Sequence, residues 1–396
     1  MTIPPIVEIE MRGGSHPDEE MDILEHQIAE MAFQRVLTDA KWAELGYKKA
    51  YNLSHFFTCW SSRDPRIIKL WYRLHPYPDY IEFEVTQGCP LNCKMCEQTY
   101  WDEPVKQMKW KQMRHIADQF PNLKWAGINA MGEPNTNKNF MKILSLMSSR
   151  GVCQEQYTEA QLIPPEHFEK YVKMGFEYVK FSIDAAKEET WKKIRPNCSL
   201  ERALECVKAL DYYKSKHNKH WPEIHFHYLI TKQTAGEAVE FLDMIDKLGI
   251  DVGNVYYSRL LHNFDKIKDI FMEIPESLIE KIQIKAKQVG IPVAFSQDIL
   301  KASPASECLA WQMPYIFPDG TVISCCCMNM QGRRGWQRKT RMGNIFVKPF
   351  RDIWQDKPYK KMRENLWKGK VREAHPVCAM CNIYNIDKKS EIIRGD

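Results

Sequence analysis

The chain has 396 residues, enough for two or three domains and a substantial core. With 44% hydrophobic and 27% charged residues it reads as a globular protein, and no apolar run reaches the ~18 residues of a membrane span. A formal net charge of +5 over this length is too mild to argue for a nucleic-acid partner.

The opening "MTIPPIVEIEMRGG" has no basic segment followed by an apolar one, so no signal peptide is expected. Thirteen cysteines without such a signal point to a reducing, cytoplasmic setting, where clustered thiols bind metal more often than they pair. Residues 1–75 are expected to be mainly helical, on the three-and-four spacing of apolar residues in "MDILEHQIAEMAFQRVL". "DYIEFEVTQ" alternates like a strand and runs straight into "GCPLNCKMC", which places Cys89, Cys93 and Cys96 in a C-x3-C-x2-C loop. Strands and helices then alternate: the strand "LKWAGINAM", a helix ending near Gly151, the strand "YVKFSIDA", and a helix capped by Ser199. The strand "EIHFHYLIT", a helix closed by Gly249 and the strand "VGNVYYSRL" complete the series. Such βα repetition implies a parallel sheet or barrel over 76–300. From about 301 the pattern changes to short strands, turns and six further cysteines, a second module.

Three thiolates so close together suit zinc or an iron–sulfur cluster. Zinc would need a fourth Cys or His, and His115 and Cys153 lie well outside the loop. A cubane on three thiolates keeps one iron free for another ligand.

The loop, at the end of a first strand, resembles that of the radical S-adenosylmethionine (radical SAM) superfamily, in which the open iron is chelated by SAM. The residue before the last cysteine, commonly aromatic in that family, is Met95 here. "AMGEP" resembles the family's Gly-Gly-Glu stretch, with Met131 in place of the first glycine. The resemblance therefore gives Gly132 and Glu133 to the SAM ammonium. "KFSIDAAKEETWKKIRP" resembles its fourth-strand segment, which gives Ser182 and Arg195 to the SAM carboxylate and Asp184 to the ribose. The fold implied by the resemblance is a partial (β/α)6 TIM-like barrel with a helical N-terminal extension and a small α+β cluster domain.

The C-terminal set resembles the SPASM extensions. Cys308 precedes Gly320, Cys325 follows after four intervening residues, and Cys378 and Cys381 close the set. No match to the family's further cysteines comes after them, so this looks like the shortened, single-cluster (twitch) form. Cys308, Cys325, Cys378 and Cys381 would then hold a second [4Fe–4S] cluster. Spacing alone leaves a four-cysteine zinc site open. In "SCCCMN", Cys325 has the family spacing, and an extended segment would turn Cys326 away from its neighbours. A thiol near a carbon radical can donate a hydrogen atom, as in epimerases of the superfamily, which makes Cys198, Cys326 and Cys327 candidate donors.

The resemblance implies radical chemistry on a small polar molecule (a sugar, cyclitol or nucleotide derivative), the auxiliary cluster relaying an electron. A flavodoxin or ferredoxin would be the electron donor. The alternative is a maturase that modifies a peptide or protein. The basic run "QGRRGWQRKTRMGN" adds an expectation that Arg333 and Arg334 grip a phosphate or carboxylate on the substrate.

Overall fold

Alternation along each strand decides what this sheet buries. In the computed structural model, which describes residues 44–46, 48–50, 52, 77–129, 131–260, 265–296, 308, 310–329, 333–379 and 381, twelve strands are defined. They are β1 (Tyr80–Phe83), β2 (Thr86–Gln87), β3 (Lys106–Gln107), β4 (Trp125–Gly127), β5 (Cys153–Thr158) and β6 (Tyr178–Ser182). Then come β7 (Glu223–Ile230), β8 (Val252–Arg259), β9 (Val293–Phe295), β10 (Tyr315–Ile316), β11 (Thr321–Ile323) and β12 (Gly343–Asn344). Ten of them form one sheet in the order β12-β11-β10-β1-β4-β5-β6-β7-β8-β9, and β2 and β3 form a separate hairpin. From β10 through β1 to β9 every neighbour is parallel.

One face of this sheet is apolar. Phe181 meets Phe168 at 5.9 Å between ring centroids, and Phe226 meets Phe241 at 5.8 Å, so the crossover helices Phe168–Met174 and Glu240–Asp246 seal that side. The other face is polar. Lys180 Nζ donates to Glu155 at 3.1 Å and to the Tyr157 hydroxyl at 2.9 Å, and Tyr80 donates to the same Glu155 carboxylate at 2.8 Å. His227 shares a 2.6 Å hydrogen bond with Ser258 and stacks on Tyr256. A parallel sheet with helices on one side and polar side chains on the other is the architecture of a partial barrel with a working interior.

Ser199 caps the helix Leu200–Lys216 by accepting from the Arg202 backbone N–H. The helix expected before Gly249 is shorter than its sequence pattern, a 3-10 turn Ala235–Glu237 followed by Glu240–Asp246. Gly249 does turn the chain there, at φ +65°. The helix expected within 21–37, the change of pattern near 300 and the tail after 381 lie outside the described residues. Lys49 and Asn52 contact the sheet's N-terminal end: Lys49 pairs with Glu177 at 2.6 Å, both buried, and Asn52 donates to the Gly151 carbonyl.

The C-terminal module continues the same sheet. β10 registers on β1, with Glu82 opposite Tyr315 and Phe83 opposite Ile316. Trp311 stacks on Trp354 at 5.7 Å, and Phe350 packs on Phe120 and Tyr77 at 4.7 and 5.6 Å.

Candidate functional site

The three-cysteine loop leaves β1 at the C-terminal end of the parallel strands, the end where βα units place their sites. Two glycines let it close. A Cβ on Gly132 would sit 2.3 Å from the Gly88 carbonyl oxygen, so only glycine lets the "MGEP" turn lie against the cysteine loop. Gly88 itself has φ +120°. The Cys96 sulfur lies 4.0 Å from the Met131 carbonyl.

Glu133 is buried, its carboxylate held by the backbone and side chain of Asn135 and, at 3.4 Å, by the Thr158 hydroxyl. Burial, and then the nearby Glu159, push its pKa well above the usual carboxylate range, so the carboxyl is a weaker acid. Glu159 is the residue the motif reading missed. It follows β5, its Oε1 is buried without a hydrogen-bond partner among the described residues, and it raises Cys89 as well as Glu133. Two facing carboxylates, one with an orphaned oxygen, fit an ammonium group such as that of SAM. Its only sequence signal was an acid directly after a strand end.

Ser182 ends β6, half-buried, opposite His227 in register. Asp184 lies two residues on and accepts the Leu229 N–H at 2.8 Å through Oδ1. Its Oδ2 holds Arg195, at 2.8 Å from Nε and 2.6 Å from Nη2. Arg195 Nη1 in turn points at the Cys93 sulfur, 3.6 Å away. The expected carboxylate-binding arginine is therefore already engaged by the aspartate and sits beside the cysteine loop. A hydrogen bond from Cys198, then Arg195, bring the Cys93 thiol down to about 7 against the opposing effect of burial. Cys96 is pushed up to about 12, chiefly by burial.

The second cysteine set also converges. Cys308, Cys325, Cys327, Cys378 and Cys381 line one cavity, closed by aliphatic side chains such as Met362 and Leu366. Among the described residues no three His, Cys, Asp or Glu side chains cluster tightly enough to hold a single metal ion. The premise of an extended cysteine run does not hold, because Cys326–Asn329 forms a helical turn. Cys326 is nonetheless absent from the cavity wall and lies beside Glu82. Cys327 is a fifth thiol on the wall, hydrogen-bonded with Cys325. Glu82 is 8% exposed, and its pKa is pushed up to about 8 by burial first and by Glu155 second. Cys153 and Cys206 donate to backbone carbonyls of Lys49 and Ala160, as structural thiols do.

Within the basic run, the expectation for Arg334 is corrected by the structure, while Arg333 stays exposed. Arg334 is fully buried in an ion pair with Glu84, its guanidinium 3.8 Å from the Phe317 ring and 4.7 Å from Trp101. Arg338 pairs with Glu103 and Asp319, each at 3.0 Å. The acids that the run lacks are supplied from distant parts of the chain, so Arg334 is an internal clamp and has no substrate to grip. Glu84 Oε1 also accepts from Tyr315 at 3.0 Å and from the Met131 N–H at 3.3 Å, which ties the C-terminal module to the "MGEP" turn.

Comparison with known proteins matches residues 83–245 to the radical SAM superfamily and residues 308–382 to the SPASM iron–sulfur cluster-binding domain. The chain is 25% identical over 296 residues to the tungsten-containing aldehyde ferredoxin oxidoreductase cofactor-modifying protein of Pyrococcus furiosus, covering 71% of this chain and 82% of that protein. It is 23% identical over 335 residues to the AdoMet-dependent heme synthase of Methanosarcina barkeri, covering 77% of this chain and 91% of that one. In fold it resembles Streptococcus suis SuiB, solved bound to the precursor peptide SuiA, with a TM-score of 0.59 at 16% identity over 86% of this chain and 80% of that one.

Proposed function

We propose that this chain, a radical SAM superfamily enzyme with a SPASM-type iron–sulfur domain, modifies a precursor of a cofactor or a peptide. The radical SAM domain binds a [4Fe–4S] cluster and SAM, and the SPASM domain binds further iron–sulfur. When bound and reduced, these supply a 5′-deoxyadenosyl radical that removes a hydrogen atom from substrate.

The observation that carries the substrate class is the alignment with the cofactor-modifying protein and the heme synthase, which covers 71% and 77% of this chain. Those relatives favour a precursor of that kind over the sugar, cyclitol or nucleotide expected from motifs. In this reading Cys89, Cys93 and Cys96 hold the first cluster, and Gly132, Glu133 and Glu159 receive the SAM ammonium. Arg195 and Ser182 face the SAM carboxylate, and Asp184 holds Arg195 in place. Cys308, Cys325, Cys378 and Cys381 hold the auxiliary cluster, with Cys327 beside them. Lys180, Tyr157 and His227 on the polar inner wall orient the substrate, and a flavodoxin or ferredoxin delivers the electron. No helix among the described residues is long and apolar enough to cross a membrane.

The test is anaerobic mass spectrometry of the reconstituted protein with SAM, reductant and candidate precursors: those of heme, those of a tungsten-enzyme cofactor, and peptides encoded beside its gene. The expected result is deuterium transfer from one of these into 5′-deoxyadenosine with a matching mass change in the precursor. Turnover of a deuterated sugar or cyclitol, with none of the precursors changed, would reverse the substrate assignment.

A further inference from the structure

Cys198 has no place in the motifs, yet the fold brings it to the first cluster site. It is 4% exposed and lies in the turn after the helix Glu188–Ile194, where its backbone N–H donates to the Arg195 carbonyl at 3.0 Å. That turn is fastened to the cysteine loop, because the Lys94 N–H donates to the Ile194 carbonyl at 2.8 Å. The Cys198 thiol adjoins Cys93, and Arg195 Nη1 approaches the Cys93 sulfur at 3.6 Å. Asp184 fixes the guanidinium from its far side, and its other oxygen is fixed by the Leu229 N–H. A guanidinium and a thiol therefore meet on one sulfur, both held by surrounding backbone.

We infer that Cys198, together with Arg195, donates hydrogen bonds to the Cys93 sulfur and so raises the reduction potential of the cluster held by Cys89, Cys93 and Cys96. The inference rests on reading that loop as the cluster's ligands. A thiolate bound to iron keeps lone pairs that accept hydrogen bonds. Reduction adds negative charge to the cluster and its sulfurs, so donors there stabilise the reduced state more than the oxidised one. This replaces the hydrogen-atom donor expected for Cys198: its thiol is engaged with a ligand sulfur. Cys198 is a positioning and tuning residue for the cluster and forms no bond to substrate.

The experiment is an EPR-monitored redox titration of the reconstituted full-length protein, native, Cys198→Ala and Cys198→Ser. Addition of SAM identifies the signal of the open cluster, since only that cluster binds it. In Cys198→Ala the midpoint should fall, with the reduced-to-oxidised ratio at a fixed potential dropping about tenfold, which is ~59 mV for a one-electron couple. Iron per chain should stay at the native value. In Cys198→Ser the hydroxyl donates in place of the thiol and most of the potential should return, which a merely structural role would not produce. An unchanged midpoint in Cys198→Ala refutes the inference. So does a Cys198→Ser variant as low as the alanine one, or loss of the SAM-responsive cluster from both variants, which would make Cys198 a ligand or a folding residue. A native protein without any SAM-responsive signal would instead overturn the assignment of Cys89, Cys93 and Cys96, and the inference with it.

Discussion

Replacing Arg334 by Met tests the clamp between the barrel and the C-terminal module. The native guanidinium pairs with Glu84, donates to Asn329 at 3.0 Å and to Gln337 at 3.3 Å, and lies on Phe317 at 3.8 Å, with both charged side chains fully buried. Methionine fills much of the volume but leaves the Glu84 carboxylate buried without its cation, which costs ~3–5 kcal/mol. For a chain of 396 residues, an unfolding entropy of ~2.1 cal/mol/K per residue makes each kcal/mol worth ~1.2 °C, so Tm should fall by about 4–6 °C. Differential scanning calorimetry on the reconstituted protein measures this directly. Because Glu84 also accepts the Met131 N–H, SAM affinity should weaken along with stability. The double variant Glu84→Met, Arg334→Met should recover part of the loss, because no unpaired charge is left behind. A single variant that melts within 1 °C of native, or a double variant worse than the two singles combined, would refute this account of the clamp.

Other outcomes rest on the same geometry. Anaerobic reconstitution should give about eight irons per chain, and changing Cys89, Cys93 and Cys96 together to Ala should halve this and abolish SAM cleavage. Gly132→Ala should lose most SAM binding by calorimetric titration while keeping auxiliary-cluster iron, since the added Cβ would lie 2.3 Å from the Gly88 carbonyl oxygen. Full SAM affinity in that variant would show that the turn and the cysteine loop move independently. Glu159→Gln should raise the Kd for SAM ~10-fold or more with a native melting curve, because a charged contact to the ammonium is lost. For His227, burial lowers the folded value to about 4 from the ordinary 6.5. The unfolded chain therefore binds more protons between these values, and stability falls as pH drops from about 6.5 to 4, by at most ~3 kcal/mol. His227→Asn should flatten that limb of Tm against pH, and an unchanged slope would mean that His227 does not titrate there.

The local chemistry of this protein was written in its sequence. The period-two strands, the Ser199 cap and the three-cysteine loop at a strand end each depend on neighbours a few residues apart, where spacing is geometry. The ordered motifs named Gly132, Glu133, Asp184 and Arg195, and the structure brings Gly132 against the cysteine loop and Asp184 onto Arg195. What the sequence withheld were pairings between distant segments. Arg334 reads as one cation in a basic surface run until β10 registers on β1 and delivers Glu84, 250 positions away, into its fork. Cys198 reads as one of three candidate hydrogen-atom donors until the Lys94–Ile194 hydrogen bond draws its turn beside the cysteine loop. Glu159, Glu155 and Lys180 read as ordinary charges at strand ends or on strand faces. Which face of a strand is shared with which residue of its neighbour depends on register, and register is set by burial of the whole sheet against its helices, a sum over many side chains that no short stretch of sequence contains.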